Sequence, residues 1–452
     1  MNPQESRAAF SLAGIYALRM LGLFLILPVF ALYAEHLEGV TPMLVGLAIG
    51  AYGLTQALLQ IPFGMLSDRI GRKPVILGGL LIFAIGSVVA AMADSIWGVI
   101  LGRALQGSGA IAAAVMALAA DLSREQHRTK VMAVIGMSIG ASFTLALILG
   151  PVLNGLIGVQ GIFWLTALLA LSGIGIVLFL VPTPETTQVH NDAEAVPAQF
   201  ARVLSNTNLL RLDLGIFVLH LIITSIFLAV PLVLRDMIGM QSDTHWMIYL
   251  PVLLLSIFLM VPFIVIAEKR NKMKQVFLGA VLTLAIAQLG LYLWHGGIIG
   301  LGISLLLFFI AFNLLEATLP SIVSKVAPAA SKGTAMGVYS TSQFAGAFVG
   351  GVAGGWIHGQ YGLSGVFLFG AVAAFVWLGV AFGMQRPANL SSYMLNVGPL
   401  DEAQAWELQA ELARITGVAD AAVVAAEGVA HLKVDKSLVD FAVLDAFSTA
   451  SE

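Results

Sequence analysis

Two segments 200 positions apart carry the same pattern: Ile61-Pro62-Phe63 leads to Ser67-Asp68-Arg69 with Arg72 and Lys73, and Val261-Pro262-Phe263 to Ala267-Glu268-Lys269 with Arg270 and Lys272. An apolar helix that ends in an acid and a basic cluster, repeated at that offset, implies a duplicated membrane protein. Composition agrees, because 59% of the 452 residues are hydrophobic and 10% charged, with a mean hydropathy of +0.95. Few soluble folds could cover that much apolar surface with so few charges. Lipid is therefore the solvent of most of the chain, and runs such as Gly346, Gly350, Gly351, Gly354 and Gly355 read as surfaces where helices approach closely. The absence of cysteine excludes disulfides, thiolate metal sites and cysteine nucleophiles.

Apolar runs of about 20 residues are long enough to span a bilayer. They fall at residues 10–34, 43–66, 74–92, 95–120, 129–156 and 161–181, and again at 209–234, 244–267, 276–294, 297–323, 333–357 and 364–382. The expected fold is an all-α membrane protein of 12 transmembrane helices in two pseudo-symmetric six-helix halves, residues 1–181 and 209–386, joined by a polar tether at 182–208. A short surface helix is expected near 200–204 within that tether. Loops after the even helices hold 13 Lys and Arg, those after the odd helices only Arg235. The positive-inside rule then puts both termini and the central loop in the cytoplasm of a multi-pass protein. The first apolar run is too long for a signal-peptide core and lacks a small-residue cleavage site, so it reads as a span.

The composition changes again after Arg386-Pro387. Residues 391–452 hold ten acids against Arg414, Lys433 and Lys436, a formal charge of −7 in a chain whose total is −3. Their pattern of strand, helix, two strands around Glu427-Gly428 and a last helix (βαββα) resembles a small ferredoxin-like α+β domain without its final strand. Such domains often bind metals through a Cys-x-x-Cys loop; with no cysteine and only His431, this one is not expected to carry metal. It is expected to aid stability or assembly, or to bind an unknown ligand or partner.

The loop Gly64-Met65-Leu66-Ser67-Asp68-Arg69-Ile70-Gly71-Arg72-Lys73 resembles motif A of the major facilitator superfamily, and Arg103-Ala104-Leu105-Gln106-Gly107-Ser108-Gly109 resembles its motif B. Gly150-Pro151 followed by Gly155 resembles the antiporter motif of the fifth helix, with Ala146 and Asn154 where that pattern prefers glycine. The resemblance extends over the whole chain and implies a bacterial inner-membrane transporter of the drug:proton antiporter type. In motif A, Asp68, Arg69 and Arg72 are expected to form a charge cluster with Asp121. Asp68 could also hold the partly positive N-terminus of the eleventh helix, near Gly333, when the cytoplasmic side is closed. The basic residues Lys269, Arg270, Lys272 and Lys274 beside Glu268 are accounted for by topology and by anionic lipid headgroups.

Ionisable residues deep in lipid each cost at least ~2.5 kcal/mol when charged and unpaired. Four stand out: Arg19 in helix one, Arg103 in helix four, His220 in helix seven and Glu316 in helix ten. Each lies in the first helix of a three-helix repeat, and in the superfamily those helices line the central cavity. Glu316, the only carboxylate well inside the bilayer, is the first choice for proton carrier. His220 is the second, because imidazole titrates near physiological pH. Arg19 and Arg103 would act as fixed charges that stabilise ionised Glu316 or repel cations; a permanent Glu316–arginine pair that only locks packing is the structural alternative. Many drug/proton antiporters of the superfamily place an acid in helix one, where this chain has Arg19.

Phe24, Phe143, Phe217, Phe227, Phe312 and Tyr339, with Gln56, Gln60, Gln106 and Gln343, would suit a bulky amphipathic small molecule better than a sugar. No Walker loop, dinucleotide fingerprint or metal-ligand cluster appears, so ATP-driven transport, redox chemistry, cofactors and nucleic-acid partners find no support, and no enzymatic constellation is found. Three functions remain: proton-coupled efflux of a small molecule, uptake by facilitation or symport, and a transporter-like sensor signalling through the acidic tail.

Overall fold

The computed structural model of the protein describes residues 1, 3–183, 197–270, 272–328, 331–384, 390–425, 428–435 and 438–449. Residues 184–196 of the expected tether and Glu427 of the expected turn lie outside the described residues. The first part of the chain forms α1 (Pro3–Phe24), α2 (Phe30–Ala34), α3 (Pro42–Ile70), α4 (Arg72–Ala91), α5 (Ile96–Ser108), α6 (Ala112–Asp121) and α7 (Glu125–Phe179). The second forms α8 (Phe200–Leu204), α9 (Thr207–Asp236), α10 (Trp246–Lys269), α11 (Met273–Trp294), α12 (Ile298–Val326) and α13 (Lys332–Phe382). Among the described residues ten helical segments are long and apolar enough to cross a membrane.

That number differs from twelve because α7 and α13, of 55 and 51 residues, run through the loops expected near 157–160 and 358–363. At 1.5 Å per residue either is more than twice as long as a bilayer core is thick. Each breaks at one glycine in a left-handed conformation, Gly158 (φ 66°) and Gly362 (φ 70°), which a residue with a Cβ adopts only under strain. Two expected spans are themselves interrupted. The first stops at Phe24 and resumes at Phe30 around Pro28, which has no N–H to continue the ladder. The fourth breaks at residues 109–111, between α5 and α6. Caps fix several starts: the Thr41 side chain accepts from Leu44 N–H ahead of Pro42, Ser95 accepts from Gly98 N–H, and Asn206 accepts from Asn208 and Leu209 N–H.

Packing follows the chain. One core cluster is drawn from residues 9–181, another from residues 203–384 with Leu147, and a third joins the first part to Leu228 and Leu232 of α9. The two parts touch along α3 and α13, where glycines let the backbones meet. A Cβ on Gly46 would overlap the Gly351 carbonyl, and one on Gly50 would lie 2.9 Å from the Phe348 carbonyl oxygen.

The tail forms β1 (Leu390–Asn396), α14 (Glu402–Leu412), β2 (Val418–Val424), β3 (Val429–Asp435) and α15 (Phe441–Asp445). Its sheet has the order β1-β3-β2, with β3 antiparallel to both neighbours, so β1 and β2 run parallel and α14 is the crossover between them. An Asp401/Gln404 capping box starts α14. The domain has its own core, including Leu395, Leu412, Leu432 and Val434. It also touches the helical body: Lys433 Nζ donates to the carbonyls of Ser324 (3.0 Å) and Lys325 (2.6 Å), and to that of Ala327. Those carbonyls end α12, where no further turn can use them and the helix dipole is negative.

Candidate functional site

α9, α12 and α13 bring two of the expected residues together through a third. Gln343 Nε2 lies 2.8 Å from His220 Nε2 and 3.3 Å from Glu316 Oε1. With the amide N–H groups donating to both, His220 Nε2 is an acceptor and its proton sits on Nδ1, which faces the Ile216 carbonyl at 3.3 Å. Glu316 Oε2 and the neighbouring Tyr339 hydroxyl are buried without a partner. His220, Glu316 and Gln343 are each partly exposed at mid-helix, so they line an accessible interior space. Aromatic rings from both parts of the chain flank that space: Phe143 lies 5.1 Å from Phe24, 6.4 Å from Phe227 and 5.9 Å from Phe312, and Phe312 is 6.1 Å from His220.

Arg19 and Arg103 are elsewhere. Arg19 Nη2 donates to Gln56 Oε1 (2.8 Å) and to the Gly109 carbonyl (2.9 Å), in the gap between α5 and α6. Arg103 Nη1 donates to Gln106 Oε1 (2.7 Å), and Gln106 passes a hydrogen bond on to Ser87 (2.8 Å). Both guanidinium groups stack on the Tyr52 ring, at 5.8 and 5.3 Å. Neither arginine meets Glu316; Gln343 holds that carboxylate instead. Of the expected cavity glutamines, Gln56 and Gln106 are thus absorbed into this cluster, while Gln60 reaches Thr341 of α13 (2.8 Å).

The motif A residues split. Arg72 donates to Asp68, to Ser67 Oγ (2.9 Å) and to Asp121 Oδ2 (3.2 Å), with the Arg72 and Asp121 side chains both 1% exposed. Gly71, at φ 96°, turns α3 into α4 in a single residue, and Gly64 lets α6 approach at Ala113. Arg69 is exposed and outside the cluster. Asp68 is held by Arg72 within the cluster. In the second copy of the pattern, Glu268, Lys269 and Lys272 are all exposed, with no comparable buried network among the described residues. Gly107 of motif B brings α5 against the Tyr52 carbonyl, beside the Thr55 hydroxyl bonded to the Ala104 carbonyl (2.8 Å).

The antiporter-like residues sit where the two parts meet, at the end of the bundle away from the N-terminus and the tail. Gly150, beside Pro151 within α7, packs on the Leu25 carbonyl, and Gly155 packs on Asp243. Asn154 reaches Ser242 at 3.3 Å. At the same end Arg235 makes a two-pronged pair with Glu35, with Nη2–Oε1 at 3.0 Å. Sequence reasoning missed Glu35, although its offset from Arg235 equals the 200-residue repeat. It also missed Gln343 as a bridge and Lys433 as a contact; both roles arise only once distant helices meet.

Residues 12–351 match the model of the Major Facilitator Superfamily. The chain is 48% identical over 440 residues to the inner membrane transport protein YajR of Escherichia coli K12, covering 97% of this chain and 96% of that one. It is 26% identical over 350 residues to the multidrug resistance protein MdtH of Yersinia enterocolitica, covering 75% and 84%. Among solved structures, a bacterial homologue of the human lysosomal transporter Spinster, in an inward-facing and occupied conformation, matches with a TM-score of 0.70 at 15% identity, over 86% of this chain and 98% of that one.

Proposed function

The chain belongs to the major facilitator superfamily and is a multi-pass inner-membrane transporter rather than an enzyme, and on that basis we propose that it exports a small amphipathic compound in exchange for protons. The observation that carries this reading is the partly buried chain His220–Gln343–Glu316 beside the Phe143–Phe312 wall. A single amide that donates to both groups fits ionised Glu316 and neutral His220. A proton placed on Glu316 Oε1 or on His220 Nε2 turns that acceptor into a donor, which Gln343 meets by presenting its carbonyl. Gln343 therefore reads the protonation state. Thr341, two residues earlier and on the opposite side of α13, holds Gln60 of α3. A turn of α13 that follows Gln343 is in this way felt between the halves.

In this reading α7 and α13 each cross the membrane twice, which gives twelve crossings in two halves of six, divided at 181 and 209. The halves rock about the midplane. The contacts Glu35–Arg235, Asn154–Ser242 and Gly46–Gly351 belong to a state shut at the far end. By the positive-inside rule the opposite, terminal end faces the cytoplasm. There Asp68 is free to exchange Arg72 for the start of α13 when that end closes, with Arg72 and Asp121 keeping the cluster together. The distant likeness to MdtH, a multidrug resistance protein, fits a drug-like cargo. The tail, read as a ferredoxin-like domain lacking its last strand, is tied by Lys433 to the helix that carries Glu316, which favours a regulatory role over a passive one.

Inverted membrane vesicles energised by respiration and followed with a pH-sensitive dye test the proposal. Addition of a transported amphipathic compound is expected to release protons in the wild type and in His220→Gln, and to release none in Glu316→Gln. No release with any compound, from protein shown to be folded and inserted, overturns it.

A further inference from the structure

The charge balance of the first half points to a ligand. Arg19 and Arg103 are 1% and 2% exposed, yet no carboxylate among the described side chains reaches either. Four acids of that half are committed at its ends: Glu5 to Arg124 and His127, Asp68 and Asp121 to Arg72, and Glu35 to Arg235. Of the others, Glu38 and Asp94 sit in the turns at the far end, and Glu125 is the first residue of α7 at the opposite one. Two guanidinium groups that cannot lose their protons thus share Tyr52 inside a lipid-embedded bundle. Their donors are not used up either. Arg19 Nε, Arg19 Nη1 and Gln56 Nε2 are buried and unpartnered, and Gln56 lies beside Arg19 because its Oε1 accepts from Arg19 Nη2.

We propose that Arg19 and Gln56 form a binding site for a small inorganic anion of the chloride type, which supplies the counter-charge for Arg19 and Arg103. The donors are of the kind that such an ion takes: an unused guanidinium N–H of Arg19 beside the unused amide N–H of Gln56. A water molecule would satisfy the same hydrogen bonds but leave both positive charges uncompensated in a low-dielectric interior. The acid group of an organic compound does not fit, because the site is closed. Tyr52 and Phe83 cover Arg19, and Phe344 of α13 packs on Tyr52 at 6.1 Å from the side of the other half. The site lies apart from Glu316 and His220, so it stands whether or not those residues carry protons.

The test uses the full-length protein in lipid nanodiscs, its unfolding midpoint followed as sodium chloride replaces sodium gluconate at constant ionic strength. The wild type is expected to gain a saturable rise, on the order of a few degrees. Arg19→Gln is expected to lose the chloride dependence, while Arg69→Gln, altered at an exposed position, keeps it. Crystals of the wild type soaked in bromide provide a readout that needs no variant to fold: an anomalous peak is expected beside Arg19 and Gln56. A midpoint indifferent to chloride together with no peak there overturns the proposal, because the donors then hold only water. Displacement of bromide by organic carboxylates or sulfonates overturns it as well, since the site would then take a larger anion.

Discussion

Replacing Glu35 with Gln removes the charge from a contact that holds the two halves together at the far end. Arg235 grips both Glu35 oxygens, and the two side chains are 36% and 43% exposed, so water screens the pair. Asp236 also binds Arg235 and continues to neutralise it in the variant. The loss is therefore confined to the term between the halves, and no charge is stranded. Exposed pairs contribute up to about 1 kcal/mol, and a two-pronged geometry belongs at the upper end of that range. A change of about 1 kcal/mol corresponds to a roughly fivefold shift from the closed toward the open far end. The chain has no cysteine, so His36→Cys with Met237→Cys gives a clean labelled pair across this contact. Electron–electron distance measurements should show one dominant short distance in the parent and about five times more of the longer one after Glu35→Gln. The shift should shrink in 1 M salt, where the screening length falls to about 3 Å. Arg235→Gln combined with Glu35→Gln should cost less than the two separate effects together. An unchanged distance distribution, or purely additive effects in that cycle, would refute the assignment of this pair as a far-end tie.

Further outcomes follow from other contacts. Arg72→Ala takes from the buried Asp121 and from Asp68 the guanidinium group that they share, and the unfolding free energy should fall by about 3–5 kcal/mol, measured by denaturant titration in detergent. Gly351→Val forces apart two backbones that meet at Gly46; cross-linking between residues 60 and 341 through introduced cysteines should drop sharply while expression persists. Gln343→Leu, which can neither donate nor accept, should abolish compound-dependent proton release while leaving the unfolding midpoint within a few degrees. Lys433 gives a pH dependence outside the membrane. Burial pushes its ammonium group down to about 8, so between there and the ordinary lysine pKa of about 10.4 the undocked tail binds more protons than the docked one. Docking should therefore tighten as pH rises through that window, by up to roughly 3 kcal/mol, and be flat below it. Hydrogen exchange at the end of α12 reads this directly, and Lys433→Met should remove the pH dependence.

Much of the architecture is legible because lipid imposes it. Apolar runs, the repeated acid-and-base pattern and the tail's change in composition need no distant contacts to be read, and the pairing of Arg72 with Asp68 and Asp121 follows from where helices end. Continuity is less legible: a single glycine suffices at 158 and at 362, whereas the sequence suggests loops of several residues. Side-chain direction is also hidden. Arg19 and His220 occupy nearly equivalent positions in the repeat, yet Arg19 faces into its own half toward Gly109 while His220 faces Gln343. Local spacing cannot separate these outcomes, because the arginine follows a carbonyl exposed by a helix break 90 residues away. Glu35 could have been found, since the 200-residue repeat pairs it with Arg235.

The bond between the tail and α12 has an evolutionary consequence. Its acceptors are main-chain carbonyls of Ser324, Lys325 and Ala327, which every amino acid supplies. Side chains at those three positions can therefore drift without loosening the joint, and no compensating change is demanded elsewhere. Position 433 alone carries the chemistry. Comparison of related chains would then show a lysine held fixed opposite a variable helix end, with no covarying partner to reveal the contact, and a family in which 433 changes should also lose whatever control the tail exerts.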